Sequence, residues 1–429
     1  MNALAVWVGP QLAAIVRDGG EGFELAYTDE WLQSGGYAFS PHLPLGTTAR
    51  GAAVRHFFSN LLPEGHALES MASAHQVSKF DVFGMLRKAG RDCAGALVLI
   101  EPDEAPEAVG TGYFAVSDGE LDQRISEARL HDVPLMFWKG KRRMSLAGVQ
   151  NKLGVYMSQD GALHLPDDAA PTSHILKVGD QKHEGIAANE HFCLRLGHAL
   201  GLTVPASEFR RLPEPVLLVQ RYDRLWTPDG DLIRTHQIDG CQALNLPPDQ
   251  KYEEPPYEYS PGGATLPDIV KLSSLCNAPA AAKVELLGWV LFNYLIGNTD
   301  AHAKNLSLLV QPTVMNGSVA VPRKGMEIAP FYDLVCGTVY GYKDFAQHLG
   351  QETQIDLVTG VDWAGFAKSC EVPLPLLKLL AKALLARLSK CLPDVVGVLA
   401  SQTQDPMVPR VGNEVVRHAK FLQESLMDN

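Results

Sequence analysis

Asp300 and Asn305 stand five positions apart in Thr299-Asp300-Ala301-His302-Ala303-Lys304-Asn305, the Asp-x-x-x-x-Asn spacing of protein-kinase catalytic loops. Phosphoryl transfer asks for little covalent chemistry. It needs metal ions held by oxygen, a cation on the phosphates, and a carboxylate that orients and deprotonates the attacking hydroxyl. Asp300 is placed to accept that proton and Asn305 to hold magnesium, a hard cation that prefers oxygen ligands. A second metal carboxylate is expected downstream on a strand end, and Glu327-Ile328-Ala329-Pro330-Phe331-Tyr332-Asp333 supplies Asp333. Spacing alone leaves an alternative open, because an aspartate at a helix end is often a cap. His302 fits a nucleotide-contacting or structural role better than a metal or acid–base one. Lys304 is a further candidate for nucleotide contact.

The phosphate cation is expected in His174-Ile175-Leu176-Lys177-Val178-Gly179. A single lysine within an apolar strand must face a cleft or a partner, since a buried unpaired ammonium is costly. A solvent-exposed face remains the other reading. Glu190 and Glu184 compete as its ion-pair partner. Ala147, Gly148, Val149 and Gln150, within Ser145 to Lys152, can form a phosphate-contacting loop whose small residues let backbone N–H groups approach anionic oxygens. That segment has no Gly-x-Gly-x-x-Gly and no Walker lysine pattern, and as a bare motif reads more readily as an ordinary turn. Gln220, Arg221 and Tyr222 lie where a hinge would offer backbone groups to adenine. Asp223 either reaches a ribose hydroxyl or pairs with Arg221 or Arg224. No His-Glu-x-x-His and no Gly-x-Ser-x-Gly occurs.

The elements that must position these groups follow from periodicity. Residues 1 to about 100 alternate like short strands, with Gly19-Gly20 as a hairpin turn. Val54, Phe57, Phe58, Leu61 and Leu62 form a helical stripe, and a second helix is expected over 80–89. Residues 94–100 read as a buried strand and 101–112 as a linker. Residues 189–202 predict a helix ending at Gly201, and 215–222 a continuous apolar strand. Helices are expected over 267–276, 280–297 and 375–392, the last ended by Pro393, with 247–264 a loop. The resulting division is a 1–110 module, a strand-rich lobe over 130–223 and a mostly helical lobe over 224–429. The fold class is α+β: a protein-kinase-like bilobal fold with an additional N-terminal α+β subdomain.

The 429 residues allow about two or three domains. The chain has 37 basic and 49 acidic residues, a net charge of −12, which argues against a protein whose main work is coating nucleic acid. Seven cysteines without a Cys-x-x-Cys pair disfavour a disulfide framework or structural zinc. MNALAVWVGP lacks the features of a signal peptide, and the apolar run 286–297 is too short to span a bilayer. A cytoplasmic protein with no membrane partner is expected.

Together, SLAGVQNKL, HILKVG, NEHFCLRLGHALGLTVP, VQRYDR, HQIDGCQAL, NYLIGNTDAHAKNLSLL and APFYDL closely resemble the HipA family of serine/threonine kinase toxins. YAFSPHLPLG, FFSNLLPEG and DCAGALVL resemble that family's N-terminal domain, so the likeness runs over essentially the whole chain. The resemblance implies ATP with Mg2+ and an aminoacyl-tRNA synthetase as substrate, with stalled translation and slowed growth. It also implies a HipB-like helix-turn-helix antitoxin partner and operator DNA reached through it. The catalytic aspartate falls on Asp300, the metal ligands on Asn305 and Asp333, the phosphate lysine on Lys177, and the hinge on Gln220 to Tyr222. Gln220 stands where a glutamate is usual, which matters little if backbone atoms contact adenine. A small-molecule kinase of related fold and a corepressor-only binding module are the rival readings. The regulatory autophosphorylation site falls on Ser145, where a phosphate would add roughly two negative charges and eject the loop. Incubation with ATP and Mg2+ should therefore add phosphate to Ser145. Peptide mass spectrometry checks this, and an unmodified Ser145 after prolonged incubation counts against it.

Overall fold

The computed structural model describes residues 2–19, 22–104, 112–131, 135, 137–138, 141–142, 152–167, 170–180, 182–212, 214–254, 262–310, 313–315, 318–320 and 325–427. Ser145, Ala147, Gly148, Val149 and Gln150 lie outside them. Two compact units are formed. One comprises Met1–Val178, Arg211–Pro248 and Leu308–Met326; the other comprises Gly179–Arg210, Asp249–Ser307 and Glu327–Asn429.

In the first unit, strands Asn2–Val8, Gln11–Gly19 and Gly22–Tyr27 form an antiparallel meander, with Gly19 opposite Gly22. Strand Leu97–Ile100 adds beside Asn2–Val8 and Ala49–Arg50 beside Gly22–Tyr27. Period-two alternation puts Leu4, Val6, Val16 and Leu25 out of solvent. Helices Ala52–Ser59 and Val82–Ala89 bury Val54, Phe57, Phe58, Phe83 and Leu86. Asp81 caps the second of them by accepting from Gly84 N at 2.8 Å. The helical stripe shortens against expectation: Leu61 and Leu62 are buried beyond the helix end.

A further sheet in this unit runs in the order Pro215–Gln220, His174–Val178, Lys152–Met157, Leu163–Pro166, Tyr113–Ala115. One face buries Leu153, Val155, Leu176, Val178, Val216 and Leu218 with Leu121, Ile125 and Ala128 of helix Asp118–His131. Lys177 alternates to the opposite face, aligned with Leu217 and Lys152 on its two neighbours. It is 4% exposed, which excludes the solvent-facing reading.

Asp223 settles into the ion-pair alternative. Its carboxylate accepts from Arg221 Nη2 at 2.7 Å, Arg224 Nη1 at 2.8 Å and Gly95 N at 2.8 Å. Asp92 completes the cluster, paired to Arg224 at 3.2 Å and Arg234 at 3.3 Å. Burial works against the charged form of Asp223, yet Arg221 and Arg224 hold its carboxyl well below the ordinary range. This corrects the ribose assignment of Asp223 and any nucleotide role for the Arg221 side chain: both are consumed internally. The Arg221 N–H is bound to Ser173 O at 2.9 Å.

The second unit is built on helix Pro279–Ile296, which is apolar around most of its circumference and correspondingly enclosed. It starts with Pro279 in its first turn and stops at Gly297, φ +68°, in the left-handed conformation that favours glycine. Helices Ile186–Leu200, Leu374–Thr403 and Met407–Leu422 pack with it. Helix Ile186–Leu200 ends at Gly201, φ +89°, as expected. Pro393 does not end its helix, which continues to Thr403. Proline forfeits one backbone bond, but Leu388 and Leu392 before it and Leu399 and Thr403 after it are all buried, and that packing carries the helix through. Among the described residues, no helix is long and apolar enough to cross a membrane.

Asp223→Asn should leave the buried guanidiniums of Arg221 and Arg224 short of a countercharge and cost about 3–5 kcal/mol. Thermal denaturation should show a Tm lowered by several degrees.

Candidate active site

The site grows out of the end of helix Pro279–Ile296. A Cβ at Gly297 would meet Thr338 Oγ1 and the His418 ring, so glycine is demanded by space as well as by φ. Gly297 O accepts from Gly337 N at 2.8 Å. Asn298, 4% exposed, then ties three segments together. Its Nδ2 donates to Asn293 Oδ1 at 2.7 Å and to Asp333 O at 3.4 Å, while its Oδ1 accepts from Asp300 N at 3.0 Å. Asn293 donates in turn to Trp289 O within the helix at 2.9 Å.

The catalytic-loop candidate is closed by short local bonds. His302 N donates to Asp300 O at 2.9 Å, and Asn305 N to His302 O at 2.8 Å. Asn305 Nδ2 donates to Asp300 O at 2.8 Å, which turns Oδ1 to the other side of the amide. Strand Ser307–Val310 follows. Asp300 is exposed at the loop tip, and its Oδ1 accepts from Tyr252 Oη at 2.8 Å. His302 and Lys304 are buried beneath it. Burial, with Lys251 and Lys304 nearby, pushes His302 down to about 3, and Tyr252 packs edge-on against its ring at 5.1 Å. Its surroundings thus favour the neutral imidazole.

Asp333 departs from expectation in its setting. The strand Glu327–Ile328 ends five residues earlier, and Asp333 sits in an irregular segment at φ +52°. That left-handed conformation costs a non-glycine residue about 1–2 kcal/mol, least for Asp and Asn. Neighbouring bonds hold it there. Phe331 N donates to Thr203 O at 2.8 Å, and Tyr332 Oη donates to Lys304 O at 2.6 Å. The buried Asn189 amide grips Cys336 at both ends, accepting from its N at 2.9 Å and donating to its O at 3.0 Å. Asp300, His302, Lys304, Asn305 and Asp333 are thus gathered in one unit on a shared scaffold. Lys177 and residues 220–223 belong to the other unit. Burial separates the two candidate glutamates: Glu190 is enclosed in helix Ile186–Leu200, and Glu184 is exposed.

Asn305 Oδ1 and the Asp333 carboxylate would offer oxygen donors alone, the kind Mg2+ takes when nucleotide phosphates and water complete its shell. The donors fit the ion: an amide bond to Asp300 O orients one, and backbone bonds around a left-handed residue fix the other. Among the described residues, no group of three or more His, Cys, Asp or Glu could hold a metal without such help.

Two family models match the chain. The HipA-like C-terminal domain model matches residues 144–394 and the HipA N-terminal domain model matches residues 4–100. The chain belongs to the HipA family. A serine/threonine-protein kinase toxin HipA of Shewanella oneidensis is 33% identical over 338 residues, 76% of this chain and 72% of that one. A putative kinase of Sinorhizobium fredii is 34% identical over 390 residues, 87% and 86% of the two chains. The solved Shewanella oneidensis HipA, in complex with HipB and operator DNA, superposes with a TM-score of 0.83 at 27% identity and covers 97% of both chains. That HipA-like architecture bears out the mixed helix and strand fold expected from the sequence.

Sequence reasoning missed Asn298, Tyr252, Lys251 and Asn189. Two asparagines flanking Tyr-Leu-Ile-Gly in an otherwise apolar stretch were the only local signal.

The unfolded chain binds a proton on His302 near pH 6.5, which the fold refuses until about 3. Its contribution to stability is therefore complete above pH 6.5 and falls by about 1.4 kcal/mol per pH unit below it. Denaturant midpoints should fall as pH drops from 7.5 to 4.5, and His302→Phe should reduce that slope by one proton.

Proposed function

We propose that the protein is an ATP- and Mg2+-dependent serine/threonine kinase that acts as the toxin of a toxin–antitoxin pair. The observation that carries this reading is the joint at Asn298, which sets Asp300, Asn305 and Asp333 on one rigid support. Precise placement is most of what phosphoryl transfer asks of a protein.

In this reading Asp300 receives the proton of the acceptor hydroxyl, and Asn305 and Asp333 hold the magnesium that accompanies the nucleotide. The metal neutralises charge on the phosphate oxygens when bound. Lys304, enclosed beneath the loop, and Lys177, enclosed on its strand, supply positive charge in water-poor surroundings, where it acts strongly. The backbone of Gln220 to Tyr222 serves adenine. Ala147 to Gln150 cover the phosphates, and Ser145 is the site at which self-phosphorylation withdraws that cover.

The substrate is an aminoacyl-tRNA synthetase, whose modification stalls translation. A HipB-like antitoxin binds the kinase and carries it to operator DNA for corepression. Likeness to a HipA solved with HipB and operator DNA, over nearly the full length of both chains, supports the partner. The net charge of −12 suits a protein that reaches DNA through another.

Labelled ATP and Mg2+ in a cell lysate should mark a synthetase band, with Asp300→Ala and Asp333→Ala each lowering transfer by at least about 100-fold. In cells, Asp300→Ala should abolish growth arrest and leave repression intact. Label found only on a metabolite would sink the protein-kinase reading.

A further inference from the structure

Tyr252 lies 48 residues before Asp300 and outside every motif of the catalytic loop, yet its phenol donates to Asp300 Oδ1 at 2.8 Å. The bond is built, not incidental. On one side, Lys251 O accepts from Ala303 N at 3.2 Å, stitching the tyrosine's segment to the catalytic loop. On the other, Lys251 O accepts from Gln347 Nε2 at 2.8 Å, and Glu253 N donates to Ala346 O at 2.8 Å. Gln250 O accepts from Ala264 N at 3.0 Å, and any side chain at Gly263 would strike the Tyr252 carbonyl. The ring is gripped as well: the His302 ring meets it edge-on, and Lys251 Nζ stands 5.1 Å from its centre.

Such an anchored donor matters because of where Asp300 sits. An exposed carboxylate turns easily about its terminal torsion, which is broad and roughly two-fold. Base catalysis needs one oxygen aimed at the incoming hydroxyl. A fixed phenol adds a restraint on that torsion.

We propose that Tyr252 is a positioning residue for phosphotransfer: it holds Oδ1 of Asp300 so that Oδ2 receives the proton of the acceptor hydroxyl. As the acceptor oxygen bonds to the γ-phosphorus, the bond to the departing ADP oxygen breaks, and the hydroxyl proton passes to Oδ2. The phenol keeps its own proton throughout. This inference rests on the kinase reading, with Asp300 as base.

Tyr252→Phe deletes the hydroxyl and keeps the ring against His302 and Lys251. ADP release from Mg2+–ATP by the full chain, which counts transfer to any acceptor, should show kcat lowered about 10- to 100-fold. The KM for ATP should stay within about twofold of its original value, because the phenol touches the base and not the nucleotide. The Tm should be unchanged. Tyr252→Leu should lose the same activity and also melt earlier. A purely structural ring would give the opposite pattern, with Tyr252→Phe at full rate and only Tyr252→Leu impaired through stability, and that result overturns the proposal. A faster Tyr252→Phe enzyme overturns it too, since the phenol would then compete with the acceptor. Asp300→Ala separates the two levels. Full activity in that variant defeats the base assignment and this inference together. Loss there, with Tyr252→Phe unaffected, defeats this inference alone.

Discussion

The Asn298 side chain, two residues past the end of a buried helix, is the interaction on which the candidate site depends. A helix C-terminus leaves carbonyls pointing onward and a chain free to leave in several directions. Gly297 sets one direction by its left-handed backbone, and Asn298 converts it into a fixed position for two distant segments. A single amide can do this because it donates and accepts at once, and because burial leaves water little chance to compete for either end. Asn293 steadies it from within the helix. The loop and the Asp333 segment are therefore both tied to the end of the helix.

Charge in the site follows the same economy. Two lysines are enclosed near a histidine that stays neutral, so positive charge sits at Lys251 and Lys304 while His302 packs as an aromatic plate. Two enclosed cations beside His302 would suit a highly anionic ligand. The left-handed Asp333 belongs to this scheme: its strain is sustained by bonds from Asn298, Tyr332 and Asn189 to the chain around it.

What the sequence made legible was whatever local spacing encodes. Asp300 and Asn305 could be read from their separation, Gly201 and Gly297 as helix stops, and the meander of the first three strands from alternation. Long-range pairing was not legible. Asn189 and Cys336 are 147 residues apart, and the contact is from a side chain to backbone, which leaves no compositional trace. Tyr252 looked like one more residue in a loop rich in Pro and Gly. Pro393 misled because local propensity points one way and packing on both sides points the other. Asp223 was ambiguous for a physical reason: a carboxylate between two arginines suits a ribose site and an ion pair equally, and only burial decides.

The cluster around Asp223 bears on how the chain is assembled. Asp92 comes from the N-terminal module, and Arg221, Arg224 and Arg234 come from the segment that follows Gln220. A chain lacking its first 100 residues would set those three guanidiniums in the interior against Asp223 alone, and would strip Arg224 and Asp223 of their bonds to Gly95 as well. The module thus supplies countercharge and backbone partners to the segment after Gln220.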